Sequence, residues 1–269
     1  MQSSYSTGPR PYVLLEANLR QLQSFRPRTP ILPWGATEAH NLHLPHGTDV
    51  YESQHLAIAA AARAAEGGAR PLVLPTIPIG NNAQQLDQVA TLHLSTSTAA
   101  ALLADIGRSL RQQGFDRLLL LNGHGGNEFK PLVRDLQQQL GLWVIVANFY
   151  QLLPQRRTEL FSAPGDHADQ SETSLMLHLE PQLVELQHAG SGLRRPFEIA
   201  AIDQPGVWTP RPWSHVHPDT GSGDPRGATA ELGAAYFEAL VGALSELIVA
   251  IDQAQPGQLP FCVSHTTTA

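Results

Sequence analysis

The stretch "TPILPWGATEAHNLHLPHGTD" (residues 29–49) decides the fold, because in it an apolar segment is followed directly by acidic residues and histidines. Its first part, "TPILPWG" (29–35), is a short apolar run closed by glycine, which predicts a buried β-strand. Glu38 and His40 stand two positions apart, so in an extended chain their side chains point to one face. Asp49 returns after a loop turned by proline and glycine. Such carboxylates and imidazoles bind divalent cations; a solvated polar loop with Asp49 capping the next helix is the alternative.

Strand and helix patterns alternate along the rest of the chain. This alternation is typical of a mainly parallel central sheet flanked by helices, so we predict an α/β fold in a single layered domain over residues 1–269. The segment 186–225, rich in glycine and proline, is expected to form long loops near the site. Residues 227–253 have the spacing of an amphipathic helix against the core. The other predicted strands are 70–80, 142–150 and the segment 116–127, which begins as a strand and runs into a glycine-rich turn. The other predicted helices are 49–68, 95–114, 128–141 and 167–184.

A second polar cluster, "LNGHGGN" (121–127), follows a run of four leucines. Ligands of parallel sheets bind beyond the carboxyl ends of the strands, so Asn122 and His124 are expected at the same rim as residues 38–49. The glycines let the backbone approach a ligand closely. A tight turn with an incidental histidine is the alternative. The spacing matches neither a P-loop nor a dinucleotide fingerprint, which disfavours phosphate binding.

A third cluster, "GDHADQSETS" (165–174), places Asp166 and His167 at a predicted helix start and Glu172 further in. His167 is a candidate general acid or base, or a residue that orients the substrate. Without other information, an ordinary helix start rich in acids is the better interpretation, because acids favour that end of a helix.

Composition restricts the function classes. A net charge of −7 with no long basic run argues against nucleic acid as the main partner. Cys262 is the only cysteine, so no internal disulfide can form and a thiolate metal site is not expected. The start lacks an apolar core of signal-peptide length, and no apolar run approaches the roughly 18 residues of a membrane span. We therefore expect a cytoplasmic protein that does not bind membranes.

The three clusters, taken in order, resemble the motifs of the creatininase (creatinine amidohydrolase) family. The matching segments are "GATEAHNLHLP" followed by "TD", then "NGHGGN" and "HADQSETS", and "GDPRGATAELG" (223–233) resembles the C-terminal segment of the family. The resemblance implies a creatininase-type α/β fold with a dinuclear metal centre at the strand ends. It also implies a homo-oligomer, a hexamer in many members.

The resemblance further implies a role for each matched residue. Glu38, Asp49 and His124 would hold one divalent cation, and His40 would hold the other together with a bridging Asp49. A water or hydroxide between the cations would be the nucleophile. His167 matches the proton-transfer histidine, which would protonate the leaving nitrogen. Zn²⁺ is the favoured cation, with Mn²⁺ or Fe²⁺ possible, and one or two would bind per chain.

Two departures from the family pattern concern the second cation and the substrate. Gly126 stands where creatininase has a metal-binding glutamate, and Gln170 stands where many relatives have one. The second cation is then weakly bound, bound by Glu172, or absent, and we count Glu172 among the metal-binding candidates. Gly125 and Ala163 replace the aromatic residues that enclose creatinine, so creatinine is not the expected substrate.

The leading functional hypothesis is a metal-dependent hydrolase of a non-peptide C–N bond, an amide or cyclic amide, in a small polar molecule. Two alternatives stay open: a hydrolase of a cyclic sugar or inositol-derived ketone, and a family member that binds metal or ligand without catalysis. The resemblance includes a peptide-trimming maturation enzyme, and the sequence does not choose among these. The candidate substrate-binding residues are His43, Asn122, Gly125 and Asp166.

Overall fold

A parallel sheet forms the centre of the molecule in the computed structural model, which describes residues 8–163 and 165–255. Within these residues the sheet has four strands in the order β2-β1-β3-β4. All three strand pairs are parallel, as the alternation of strand and helix predicts. The strands are β1 (Thr29–Trp34), β2 (Pro71–Val73), β3 (Arg117–Asn122) and β4 (Trp143–Asn148).

The predicted helices are present, with shifted ends, and three further helices accompany them. Helix α6 begins three residues later than predicted and ends before Pro181. The unpredicted α1 begins with a capping box of Asn18 and Gln21, and α5 has Pro154 in its first turn. Both are start signals that a sequence can show. The helices are α1 (Leu19–Phe25), α2 (Thr48–Glu66), α3 (Thr96–Gln112), α4 (Phe129–Leu140), α5 (Pro154–Leu160), α6 (Gln170–Leu179), α7 (Trp213–Val216) and α8 (Ala230–Gln253).

The four leucines of β3 are explained by burial on both faces of the sheet. Leu119 and Leu121 join one hydrophobic cluster, to which α2 and α8 contribute. Leu118 and Leu120 point the other way and join a second cluster with α3 and α4. Successive side chains of a strand alternate between faces, so a strand covered by helices on both sides reads as an unbroken apolar run.

Strand β2 is shorter than the predicted segment 70–80. Only Pro71–Val73 pair with β1, and the chain then continues through Pro75 and Pro78 with single bridges. Proline has no backbone N–H to donate to a strand ladder, so the prolines end regular pairing and leave β2 at the sheet edge.

Helix α8 is long and apolar enough, by length and composition alone, to cross a membrane, which the sequence analysis did not expect. One of its faces is buried, with Tyr236, Leu240 and Leu244 at most 1% exposed, and α8 packs on α2 and α6. The guanidinium of Arg117 in β3 donates to backbone carbonyls at the end of α8. These are the contacts of a core helix, and they account for its apolar composition.

The register of the two central strands brings the predicted polar clusters to one rim. Trp34, the last residue of β1, lies opposite Asn122, the last residue of β3. The segments after both strands therefore leave the sheet side by side at its carboxyl edge, where ligands of parallel sheets bind.

Candidate metal centre

Three side chains from the two rim segments meet at one buried point. Nδ1 of His124 lies 3.0 Å from Oε1 of Glu38 and 3.0 Å from Oδ2 of Asp49. All three side chains are buried, with Glu38 and Asp49 only 1% and 2% exposed. Their ligand atoms lie within 4.8 Å of one another, so they can hold one cation. These are the three residues that the family resemblance implies as ligands of one cation.

A second group adjoins the first through Asp49. Its other oxygen, Oδ1, lies 2.9 Å from Nε2 of His40, and Glu172 completes a set of ligand atoms within 4.8 Å of one another. Each oxygen of Asp49 thus faces a different imidazole, which is the geometry of a carboxylate that bridges two cations. Glu172 joins this group although its helical position made that uncertain from the sequence.

Backbone carbonyls fix which nitrogen of each histidine faces the centre. Nδ1 of His40 lies 3.0 Å from the carbonyl oxygen of Glu38, and Nε2 of His124 lies 3.1 Å from that of Asn81. A carbonyl only accepts, so each of these nitrogens donates its N–H outward. The other nitrogen of each ring is left to face the carboxylates. Histidine ligands of metals are oriented in this way.

The charge balance of the centre also fits a cation. Burial lowers the pKa of His40, but the charge and hydrogen bond of Asp49, with the charges of Glu38 and Glu172, together raise the pKa to about 10. Burial likewise opposes the protonated form of His124, and Glu38 with Asp49 still raises its pKa well above the ordinary value. The nearest described group to Oδ2 of Asp49 is Nδ1 of His124 at 3.0 Å, without the geometry of a hydrogen bond. Carboxylates that draw protons onto buried imidazoles are carboxylates that a divalent cation can satisfy instead.

The first turn of α2 presents Asp49 to the centre because Gly35 leaves room for it. A Cβ on Gly35 would lie 2.7 Å from the carbonyl carbon of Asp49, so only glycine allows this approach of strand end and helix. Helix α2 begins at Thr48, and its N-cap residue is Gly47, which has no side chain to cap it. The alternative in which Asp49 serves as the helix cap is therefore wrong.

His167 lies beside the first group rather than inside it. Its Nδ1 is 3.7 Å from Oε1 of Glu38, and its Nε2 is 2.8 Å from the carbonyl oxygen of Ala39. The carbonyl of Ala39 fixes the N–H on Nε2, so Nδ1 presents a lone pair toward the centre. Burial, and then the nearby charge of His40, lower the pKa of His167. Asp169, not Asp166 or His167, caps the following helix.

The predicted substrate-binding residues divide into two pairs. Gly125 and Asp166 line the cavity at the centre, and Asp166 pairs with Arg211 at 3.0 Å. Asn122 is buried in the turn, where its amide bonds to the backbone of His124 and to Asn148. His43 is buried too and bonds to Thr173. Asn122 and His43 thus act on the shape of the site, and the structure does not bring them to the cavity surface.

Gln85 is a residue of the centre that the sequence analysis missed. Its amide donates to Oε2 of Glu38, and its side chain is buried. It stands in a short 3-10 helix at Ala83–Gln85, within a polar stretch that carries no motif. Only the tertiary fold brings Gln85 to Glu38, so no sequence motif indicates its role.

Neither of the two family positions for a second-site glutamate can supply a ligand here. A Cβ on Gly126 would lie 2.3 Å from the carbonyl oxygen of Asn81 and 2.4 Å from Nε2 of His124. Gln170 is committed elsewhere: its oxygen accepts from the backbone of Ser162 and Ala163, and its nitrogen donates to Gly227. The second group therefore depends on other residues.

Gly126→Ala is expected to lower the free energy of unfolding by about 1–3 kcal/mol, the usual cost of forcing extra volume into a packed site. The added methyl would push against Asn81 and the ring of His124, so cation affinity should fall as well. Chemical denaturation and metal titration measure the two effects. Gly125→Ala is the matched control, since a Cβ there meets nothing within 4 Å. Equal effects of the two substitutions would contradict the steric argument.

The centre opens into a cavity of about 1740 Å³. Asp49, His124 and Glu172 line its base, and residues of the 194–211 loop form much of its wall. That loop belongs to the segment 186–225, which was predicted to lie near the site. The volume exceeds the roughly 300–1,000 Å³ typical of small-molecule pockets.

The family of the chain follows from its sequence over most of its length. The family model of creatininase (creatinine amidohydrolase) matches residues 16–248. The chain belongs to the creatininase family. It is accordingly a hydrolase of that family, and its four-stranded parallel sheet between helices is the creatininase fold.

Relatives of this creatininase-family chain include enzymes with different substrates. The mycofactocin precursor peptide peptidase of Mycobacterium tuberculosis is 30% identical over 259 residues, covering 90% of this chain and 92% of the relative. The crystal structure of a candidate creatinine amidohydrolase from Bacteroides fragilis is 38% identical with a TM-score of 0.86, covering 91% of this chain and 98% of that chain. A manganese form of creatininase is 25% identical with a TM-score of 0.72, covering 90% and 99%.

Proposed function

We propose that this chain is an amidohydrolase that requires divalent cations and hydrolyses an amide C–N bond. The observation that carries the proposal is the pair of ligand groups that share Asp49, in which every residue is buried except the half-buried Glu172. Fixed N–H positions on His40 and His124 support it, because they turn the free nitrogens toward the carboxylates. Cations held there would lower the pKa of water and polarise a carbonyl oxygen.

The residues that would hold the cations are those of the two groups. Glu38, Asp49 and His124 would hold one, and His40, Asp49 and Glu172 would hold the other. Oxygen and nitrogen ligands suit Zn²⁺, Mn²⁺ and Fe²⁺. Zn²⁺ stays the favoured cation, and the manganese form of a related creatininase supports Mn²⁺ as well.

His167 is the residue that would move the proton of the reaction. With its Nε2–H donated to Ala39, it can accept a proton from water at Nδ1 and return it to the leaving nitrogen. Burial lowers the pKa of His167, which favours the unprotonated form that can accept a proton. A histidine in this role contributes about 10²–10⁴-fold to a rate.

The substrate that we propose is a short peptide or a polar amide of similar size. The cavity of about 1740 Å³ supports this, as does the open space beside Gly125, where creatininase carries an aromatic residue. The peptide-cleaving relative supports it too. The proposed substrates therefore include peptides as well as the non-peptide amides predicted from the sequence. A small cyclic amide is the second candidate, favoured by the match to the creatinine amidohydrolase family.

Metal analysis combined with a substrate panel tests this proposal. We expect two cations per chain, loss of hydrolysis on chelation, and recovery on adding Zn²⁺ or Mn²⁺. Peptides of two to six residues should be hydrolysed faster than lactams, and creatinine should not be a substrate. Folded protein that binds no cation and cleaves no member of the panel would contradict the proposal and favour a binding role without catalysis. A cytoplasmic location and a homo-oligomeric state stay predictions.

A further inference from the structure

The guanidinium of Arg211 stands in the wall of the cavity, at the end of the 194–211 loop. Its side chain is 19% exposed, and it lines the same cavity as Asp49 and His124 of the metal centre. The backbone N–H of Arg211 donates to the side chain of Gln84 at 3.1 Å, which ties this end of the loop to a neighbouring segment. Arg211 is thus a cation that the fold holds at the cavity.

Three groups fix the position of this guanidinium. Its Nη1 donates to the carboxylate of Asp166 at 3.0 Å and to Nε2 of His217 at 3.2 Å. Its Cζ lies 4.6 Å from the centroid of the Trp213 ring. Nδ1 of His217 lies 3.1 Å from the carbonyl oxygen of Gly221, which only accepts, so His217 carries its hydrogen on Nδ1 and accepts at Nε2. A guanidinium already held in one place loses little further side-chain freedom when it binds a ligand.

Two donor nitrogens of Arg211 are left for a ligand. Nη1 is used by Asp166 and His217, whereas Nε and Nη2 donate to no residue that the structure describes. Neither of these two nitrogens is fully buried, so both stay open to the cavity. The Nε and Nη2 edge of a guanidinium presents two parallel N–H groups, which match the two oxygens of a carboxylate.

Arg211 lies close enough to the metal centre to contact the same substrate. The ring of Trp213 contacts both Arg211 and His167: its centroid lies 4.6 Å from Cζ of Arg211 and 5.1 Å from the centroid of the His167 ring. These two distances set an upper limit on the separation of the guanidinium from the proposed proton-transfer histidine. An extended residue spans about 3.3–3.6 Å, so about three residues of a peptide at most cover this separation.

Bound cations would make the centre compatible with an anionic substrate. Glu38, Asp49 and Glu172 are the carboxylates of the two ligand groups, and two divalent cations outweigh their charges. Asp166 pairs with Nη1 of Arg211 and leaves the Nε and Nη2 edge free. A carboxylate of the substrate would therefore find donors at Arg211 without facing excess negative charge at the centre.

We propose that Arg211 binds a carboxylate of the substrate through its Nε and Nη2 edge. The inference rests on the proposed hydrolase function and narrows its substrate class to an amide that carries a carboxylate within about three residues of the bond that is cleaved. A peptide supplies such a group either at its C-terminus or in an acidic side chain. Arg211 would thus set specificity, while the cations and His167 carry out the chemistry.

Binding of matched peptide probes tests the inference without using activity. His167→Gln protein supplied with Zn²⁺ is the host, because loss of proton transfer leaves the probes intact. It is titrated by calorimetry with acetyl-trialanine and with the C-terminal amide of that peptide, which lacks the carboxylate. We expect acetyl-trialanine to bind at least about tenfold more tightly, the usual effect of hydrogen bonds to a charged group. A third probe, the C-terminal amide of acetyl-dialanyl-glutamate, carries its carboxylate in a side chain and shows which of the two sources Arg211 accepts.

Substitution of Arg211 in the same host separates its role from other contributions to carboxylate binding. Arg211→Gln should bind acetyl-trialanine and its amide with equal affinity. Arg211→Lys keeps the charge but lacks the paired donors, so the preference should fall without disappearing, and this variant serves as the test if Arg211→Gln does not fold. Arg194→Gln is the matched control, because Arg194 belongs to the same loop and also pairs with an aspartate, Asp203 at 2.8 Å, but its side chain is 47% exposed. It should keep the preference of the host.

Two results would overturn the inference. Equal affinities of the host for acetyl-trialanine and its amide, or no binding of either, would show that no carboxylate is recognised. A preference that survives Arg211→Gln would place the carboxylate elsewhere in the cavity. Both results leave the proposed function intact if wild-type protein binds zinc and hydrolyses amides. Wild-type protein that binds no zinc and hydrolyses no amide, in a chain that still shows the Arg211-dependent preference, would overturn the proposed function alone.

Discussion

Asp49→Asn is expected to empty both cation positions and to abolish hydrolysis. Each oxygen of Asp49 faces a different histidine, His40 at 2.9 Å and His124 at 3.0 Å, so one substitution removes a charged ligand from both groups. An amide bridges cations poorly because it has one oxygen and no charge. Loss of cations that lower the pKa of water by about eight units should reduce kcat/KM by roughly a thousandfold or more.

Metal content and kcat/KM, measured on the same preparations, check this expectation. Asp135→Asn is the control, because Asp135 is an exposed carboxylate on α4 outside the centre. It should leave both quantities unchanged. Asp49→Asn protein that keeps two ions and wild-type turnover would show that Asp49 does not bridge cations.

His167→Gln should lower kcat by about 10²–10⁴-fold while the protein keeps its cations. The amide can still donate to the carbonyl of Ala39, so the local fold is preserved, but it cannot carry a proton. KM should change little, because the proton transfer belongs to the chemical step rather than to binding. Steady-state kinetics with metal analysis provide the measurement.

The control for His167→Gln is His55→Gln. His55 is also held by a hydrogen bond, to Glu180 at 2.8 Å, and it lies in α2 away from the centre. A loss of bound cation in His167→Gln would assign His167 to the ligands instead, a role open to it because Glu38, His40 and His167 can also hold an ion together.

Much of the fold was predictable because the core is patterned simply. The leucine run of β3 predicts a strand, and the alanine-rich sequence of α2 predicts a helix, each from its own segment. The alternation of strands and helices then predicts a parallel sheet. Element ends were less predictable. Strand β2 stops where prolines remove donors, and α6 begins only after Asp169, which caps it.

The candidate site was predictable where its residues form short motifs. Glu38, His40 and Asp49 come from one segment, and strand geometry brings His124 to the same rim. Gln85 was not predictable, because its role comes from a contact with Glu38, which is distant in sequence. His43 shows the converse, since it shares the motif yet bonds to Thr173.

Cation binding depends on the alignment of β1 with β3, in which Trp34 lies opposite Asn122. A slip of one residue between β1 and β3 would displace the attached segments by about 3.3 Å and reverse their faces. The four leucines of β3 are apolar on both faces, so their pattern alone does not distinguish the two alignments. The slip would also separate Oε1 of Glu38 from Nδ1 of His124, which lie 3.0 Å apart. A misaligned sheet could not bind the ions at this centre. Ions that bind only the native alignment would stabilise it relative to the misaligned one.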